Sequence, residues 1–412
     1  MNLKKHFPLI ENFISYFLFK AIDALIPLIM IPYLTGIVSY SKYGIYAFAF
    51  SLIFYLQNII QFGFDLSAVR EIAIIRDDKE KLSQTYNNVL SSQVLLFLIT
   101  IIILAVSVSL VPQLREHYII YLFFTILLFG ELLFPMWFFL GMEKMRFITI
   151  VNLISKSSFA VFCFLLIKEE SHYIYIALYQ SIGFIIAGII AQIVIYRKFN
   201  IKFQFSPFSE IKRTINEAWS AFLTLVSPTI YHNTSIFVVG FYWPQKYSGI
   251  MEISTKVSGA FATVNTIMTN VLYPYLNRNK ALIFLSRYAF IVLGVILSLS
   301  MFLLAGPLIE LWLGSDKDAL EIVTAVKYLS LCPFLASVIS TFGVNGLMIY
   351  KKDKLYSRII VSGSILGLIL ALILIPKYNY IGGALTIVLA LSFKSIFSTF
   401  YCLRFMKKQK NV

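Results

Sequence analysis

Charge is what this chain has least of. Of its 412 residues only 13% are Asp, Glu, Lys or Arg, about half the share of a soluble domain, while 59% are hydrophobic and the mean hydropathy is +0.81. A chain so poor in charge cannot cover a large water-facing surface, so little is left for any soluble domain. Cysteine is scarce too: Cys163, Cys332 and Cys402 lie far apart inside apolar runs with no CxxC spacing, so neither a disulfide framework nor a metal site is indicated. There are four histidines, no HExxH and no GxxxxGK[ST]. Nothing therefore offers a metal-bound water or a cradle of amides for a nucleotide phosphate, which argues against metalloenzyme chemistry and ATP hydrolysis and leaves no catalytic residue to name.

What the chain has in abundance is apolar runs long enough to cross a bilayer, which takes ~20 residues in a helix. Twelve such spans are expected, centred near Leu25, Phe54, Ile99, Leu127, Ala160, Ile185, Val226, Val264, Leu299, Ile339, Leu366 and Val388. An even number puts both termini on one side. With that side cytoplasmic, the inner segments hold 24 of the 35 basic residues, the outer loops 6 and the spans 5. This is the positive-inside pattern. It also explains the net charge of +15 without nucleic acid, because the cations sit in short loops rather than along one exposed face. The basic N-terminus, MNLKKHFPL, precedes an apolar run too long for a secretory signal and is read as leading into a retained first helix. The outer loops are too short to house a catalytic domain, which counts against a membrane glycan polymerase or ligase.

The longest internal polar break, Tyr196 to Thr214, follows the sixth span. It predicts a six-helix bundle over 1–196, a cytoplasmic linker over 197–216 and a second six-helix bundle over 217–412. A faint repeat agrees: GIVSYSKYGI at Gly36 to Ile45 and GFYWPQKYSGI at Gly240 to Ile250 share Gly, a six-residue step to Lys-Tyr, then Gly-Ile. Pro135 and Pro333 add a second match in the fourth and tenth spans, and parallel duplicated halves are a frequent transporter plan.

Function is sought in the ionisable residues within spans, Lys20, Asp23, Lys156, Glu252, Lys256, Lys327 and Lys394. Each costs about 2.5 to 3.5 kcal/mol at mid-membrane, so each must snorkel, pair or face a wet cavity. Lys394, about two turns from the inner surface, is expected to snorkel. Lys20 can do the same or pair with Asp23 at i, i+3, and Glu252 can pair with Lys256 at i, i+4. Together, five lysines against few acids make a cationic interior, which suits an anionic passenger. Gln57, Asn58 and Gln61 in the second span, His232 and Asn233 in the seventh, and Asn265 and Asn270 in the eighth add polar groups. The amides fit either sugar hydroxyls or hydrogen bonds between helices, and His232 is placed to take a proton near neutral pH.

From Ile31 the chain reads IPYLTGIVSYSKYGIYAFAFSLIFYLQNIIQFGFDLSAVREIAIIRDD. This resembles the polysaccharide (O-antigen type) flippases of the MATE-like multidrug/oligosaccharidyl-lipid/polysaccharide exporter superfamily. Pro32-Tyr33-Leu34, Tyr43-Gly44, Phe62-Gly63-Phe64 and Ser67-Ala68-x-Arg70 carry the likeness, which continues at PMWFFLGMEKM from Pro135, where Leu140 replaces the family's usual glutamine. FVVGFY, VLYPYLNR and the LWLG around Trp312 extend it through the seventh to ninth helices.

The resemblance implies an all-α integral membrane fold with a central cavity lined mainly by the first, second, seventh and eighth helices. It implies alternating access that carries a lipid-linked oligosaccharide, usually an undecaprenyl-pyrophosphate repeat unit, to the outer leaflet of the bacterial inner membrane for O-antigen or other surface polysaccharide biosynthesis. No cofactor is implied; a proton or sodium gradient would drive the cycle, with membrane lipids, a polysaccharide polymerase and a chain-length regulator as partners. On this reading Lys20, Arg70, Lys156 and Lys256 contact phosphate or acidic sugar, Asn58, Gln61, Asn233 and Asn265 contact glycan, and Asp23, His232 and Glu252 are coupling groups. Pro27 and Pro32 would permit the bend that rocking requires. A drug or cation extruder of the same superfamily is the alternative; it would want acids facing the cavity. A lipid-linked peptidoglycan precursor exporter would usually show fourteen spans.

Overall fold

The structure, a computed structural model, describes residues 3–278 and 283–410, with side chains at all of these except 3–13, 16, 227–232, 270, 271, 273–275, 277, 278, 283, 284 and 408–410. Among the described residues there are helices and connecting turns and no strand.

In chain order the helices are α1 (Leu3–Gln61), α2 (Phe64–Ile75), α3 (Lys79–Leu110), α4 (Pro112–Arg115), α5 (Tyr118–Leu133), α6 (Met136–Gly141), α7 (Met145–Leu166) and α8 (Tyr173–Val194). They continue as α9 (Phe208–Tyr242), α10 (Lys246–Arg278), α11 (Ile283–Leu313), α12 (Lys317–Leu329), α13 (Cys332–Val338) and α14 (Asp353–Lys410). A 3₁₀ turn, Glu170–His172, precedes α8, and π-helical runs follow α8 (Ile195–Phe199) and α13 (Ile339–Met348).

Two of these helices are broken. α1 turns at Ser39 (φ 65, ψ 158) and α14 at Tyr378 and Asn379 (φ 46, ψ −132), so each supplies two membrane-length legs. With α3, α5 continued by α6, α7, α8, α11 and the run from α12 to Met348, the apolar legs number ten; α9 and α10, 35 and 33 residues long but richer in polar groups, bring the described total to the expected twelve. All twelve expected centres fall within these legs. Their outer faces carry exposed Ile102, Leu303 and Leu372, as helices facing hydrocarbon must.

Local chemistry sets the boundaries. Asp78 caps α3 by accepting the Lys81 backbone N–H at 3.2 Å, and Asp316 caps α12 through the Ala319 N–H at 2.7 Å. Pro135 separates α5 from α6, since it lacks the N–H that would continue the ladder. Pro27 and Pro32, by contrast, leave α1 helical; the break in that helix falls at Ser39. Between α1 and α2 the chain reverses at Gly63 (φ +75), where any side chain would also meet the backbone of Phe222, so this position requires glycine.

The chain forms two compact units, one of residues 1–39 with 49–226 and one of 40–48 with 227–412. In the first unit α8 packs on α5 and α7, and one end is closed by a core containing Phe64, Tyr86, Trp137, Phe138 and Phe139. Trp137 donates its indole N–H to Gln93 at 3.1 Å and Tyr86 its hydroxyl to Gln192 at 2.7 Å, so the polar atoms of this aromatic core are satisfied. In the second unit α10 packs on α12, α11 on α13, and α14 against the Ile339–Met348 run.

Candidate functional site

The first unit gathers its membrane-embedded charge at one place. α5 is apolar except for a single acid, Glu131, which is buried. Gln57 and Gln61, one turn apart on the second leg of α1, each donate an amide hydrogen to it: Gln57 Nε2 reaches Oε2 at 3.1 Å and Gln61 Nε2 reaches Oε1. Both carboxylate oxygens are thus held, which compensates for removing the group from water. One turn beyond Gln61, past the Gly63 reversal, Asp65 lies within electrostatic reach of Glu131. Lys156 of α7 acts on Glu131 from another helix and pairs with Asp23 of α1, Nζ to Oδ1 at 3.3 Å. Three acids and a lysine on four helices form one electrostatic network.

A change of protonation at Glu131 would be felt by this arrangement. Protonating Glu131 would replace an acceptor with an O–H donor, so one of the two facing amides would have to turn or let go. A change of one charge thereby becomes a change in how α1 packs on α5. Among the described residues no three His, Cys, Asp or Glu side chains come together as a metal centre.

The other expected residues are distributed as follows. Lys20 is half-buried one turn before Asp23, its ammonium 5.2 Å from the Phe19 ring centroid. Asn58 turns to its own helix, donating to the Phe54 carbonyl at 2.6 Å. Arg70 is exposed, on α2 opposite the buried Phe64, Ala68 and Ile72. In the second unit, Glu252 is buried and pairs with the half-exposed Lys256 at 3.4 Å, one turn along α10. Asn265 is buried with no partner for its Oδ1 among the described residues, and Asn233 is half-buried. The side chains of His232 and Asn270 lie outside the described residues.

One expectation is overturned and one is enlarged. Lys394 does not snorkel: it is 1% exposed and donates to Ser364 Oγ at 3.0 Å. Its methylene chain occupies the space that a side chain at Gly363 would fill, so the absent side chain makes the pocket. The interior, expected to be cationic, also holds Asp65 and Glu131. Sequence reasoning missed both, although a lone acid in the apolar α5 run is itself the signal.

Twelve membrane-length legs in two compact units, with charged side chains between helices, define a multi-pass membrane protein. Residues 9–280 match the family described as polysaccharide biosynthesis protein, and the chain belongs to that family. A candidate O-antigen transporter of Escherichia coli (strain K12) is 26% identical over 395 residues, covering 94% of each chain. Among solved structures, the lipid II flippase MurJ in an inward closed conformation superposes with a TM-score of 0.68 at 17% identity, over 95% of this chain and 87% of that one. An inward-facing multidrug resistance MATE family transporter of the MOP superfamily gives 0.67 at 13% identity, over 94% and 99%. The fold is MATE-like.

Proposed function

We propose that this protein is a flippase, moving an undecaprenyl-pyrophosphate-linked oligosaccharide repeat unit from the cytoplasmic to the outer leaflet of a bacterial inner membrane by alternating access, both termini being cytoplasmic. The observation that carries this reading is the near-full-length likeness to an O-antigen transporter, which reaches 94% of both chains. The structural likeness to a lipid II flippase supports it.

A pyrophosphate must leave headgroup water to cross, and cations offset that cost. Lys20, Lys156 and Lys256 act within the membrane and Arg70 from the exposed face of α2, while Asn58, Asn233 and Asn265 contact sugar. Gln61 serves Glu131 instead. The driving gradient, of protons or sodium, acts through Glu131, whose neutralisation releases an amide of α1; Asp23 and Glu252 tune the neighbouring lysines and His232 is a further proton carrier. A polymerase and a chain-length regulator would consume the product.

A second reading, extrusion of a cationic solute, gains from Asp23, Asp65 and Glu131 together and from the likeness to multidrug transporters. Leaflet-resolved labelling of lipid-linked glycan in the native host separates the two. On depletion of the protein, flipping predicts glycan trapped on the cytoplasmic leaflet and loss of surface polysaccharide. Glycan that still reaches the outer leaflet would sink the proposal. Lys20→Ala and Lys256→Ala are expected to abolish transport with membrane insertion intact; wild-type rates in both would remove the cationic contacts from the mechanism.

A further inference from the structure

Between α8 and α9 the chain has no regular structure, yet it is pinned. Asn200 in the left-handed region ends the π-helical run, and Ile201 is buried in the core of the first unit beside the partly buried Phe199. The backbone N–H of Gln204 donates to Asn87 Oδ1 at 3.1 Å and that of Ser206 to Ser91 Oγ at 2.9 Å, while Asn88 Nδ2 reaches Glu210 Oε2 at 3.3 Å. Asn87 and Ser91 of α3 thus give partners to two backbone N–H groups of an irregular strap, and Asn88 ties the first turn of α9 that follows it.

Held this way, the strap turns its rings outward. Phe205 is 63% and Phe208 69% exposed, and Phe203, two residues before Phe205 along the extended chain, packs edge-on against it at 6.4 Å. Around them stand exposed Arg197, Lys198, Lys202, Lys212 and Arg213. Arg213 is engaged by Glu210 at 2.6 Å and Glu217 at 3.8 Å, and Lys198 lies over the Phe147 ring at 4.6 Å. Arg197, Lys202 and Lys212 have no ion pair among the described residues.

An apolar surface fixed in the open at the end of membrane spans, ringed by uncompensated cations, matches one environment. Aromatic rings settle at the boundary between headgroups and acyl chains, and lysine and arginine meet the phosphates above it. The backbone is tied on both sides of Phe205, at Gln204 and Ser206. We propose that the strap from Arg197 to Arg213 is a binding surface for anionic phospholipid, with Phe203, Phe205 and Phe208 at the acyl boundary and Arg197, Lys202 and Lys212 on the headgroup phosphates.

Native mass spectrometry of the full-length protein, titrated with phosphatidylglycerol or phosphatidylcholine in detergent, tests this without reference to transport. Preferential retention of phosphatidylglycerol is expected, weakened about fivefold for each cation removed in Arg197→Gln, Lys202→Gln and Lys212→Gln. The Arg↔Lys exchanges at the same positions should retain it, and Asn87→Ala with Ser91→Ala, which frees the strap, should weaken it with every charge in place. Equal retention of the two lipids by the wild type, or of phosphatidylglycerol by wild type and triple variant, would overturn the proposal. So would loss of the preference only in variants that elute as aggregates, or charge-dependent capture of an acidic soluble protein instead of lipid.

Discussion

The two units arrange the charges along their spans in opposite ways. The first pools it: Glu131, Asp65, Lys156 and Asp23 influence one another across α1, α2, α5 and α7, with Gln57 and Gln61 completing the set. Along its spans the second disperses it: Glu252 and Lys256 pair within one helix, Lys394 sits on Ser364, and Arg287 lies at Met406 and over the Phe342 ring with its Nε unpartnered among the described residues. Its one joined set among those residues, Lys246 with Asp318 at 2.6 Å and Glu321 at 2.9 Å, ties the first turns of α10 and α12. A pooled set responds as a whole when one member changes charge, whereas isolated pairs respond alone. The proposed coupling through Glu131 rests on that difference.

The comparison can be broken by mutation, and the largest effect belongs to Glu131. Glu131→Ala strands the amides of the buried Gln57 and the partly buried Gln61, each costing about 1 to 3 kcal/mol, so a loss of about 2 to 6 kcal/mol is expected in chemical unfolding. Glu131→Gln, nearly the same shape, should keep most of that stability and lose transport. Combining Glu131→Ala with Gln57→Ala should cost clearly less than the sum of the two, and additive losses would deny that the set is pooled. Glu252→Ala should cost under about 1 kcal/mol, because Lys256 is more than a third exposed and water screens the pair. A loss as large as that at Glu131 would erase the contrast.

Lys394→Met sharpens the contrast further. Ser364 Oγ also donates to the Ile360 carbonyl at 3.0 Å, so removing the ammonium leaves no orphan hydroxyl there. Stability should stay within about 1 kcal/mol of wild type or rise, as when buried ions are replaced by apolar side chains of similar volume. The smallest expected effect lies outside the membrane at Asp78. Hydrogen bonds from the Lys81 ammonium and then its backbone N–H hold this carboxyl below its usual range. Its contribution is present above the unfolded carboxylate range and is lost as pH falls through the folded value. Protection factors for amide exchange in the first turn of α3, corrected for intrinsic rates at each pH, should fall on acidification, and Asp78→Asn should remove that fall.

Much of the fold was legible because lipid imposes a length and a composition on every span. The twelve centres followed from apolar runs alone, even at α9 and α10, and the pairing of Glu252 with Lys256 followed from helical spacing. What resisted reading depends on distance along the chain. Glu131 meets Gln57 and Gln61 across more than sixty residues, and Lys156 joins Asp23 from another helix, so no local pattern announces either. Backbone detail was equally hidden. The kink in α1 falls at Ser39 rather than at Pro27 or Pro32, and a serine with positive φ has no composition signal; here its hydroxyl is tied to Glu170 at 2.8 Å. Lys394 misled for a simple reason, because room for it depends on Gly363, thirty-one residues earlier.

The most direct test of the account reconstitutes wild type and Glu131→Gln in proteoliposomes loaded with undecaprenyl-pyrophosphate oligosaccharide and follows, under an imposed proton or sodium gradient, how fast glycan becomes accessible to an external lectin. The account predicts gradient-dependent exposure by the wild type, and by Glu131→Gln only slow exposure that ignores the gradient although the lipid still binds. Equal, gradient-driven rates in both proteins would contradict it.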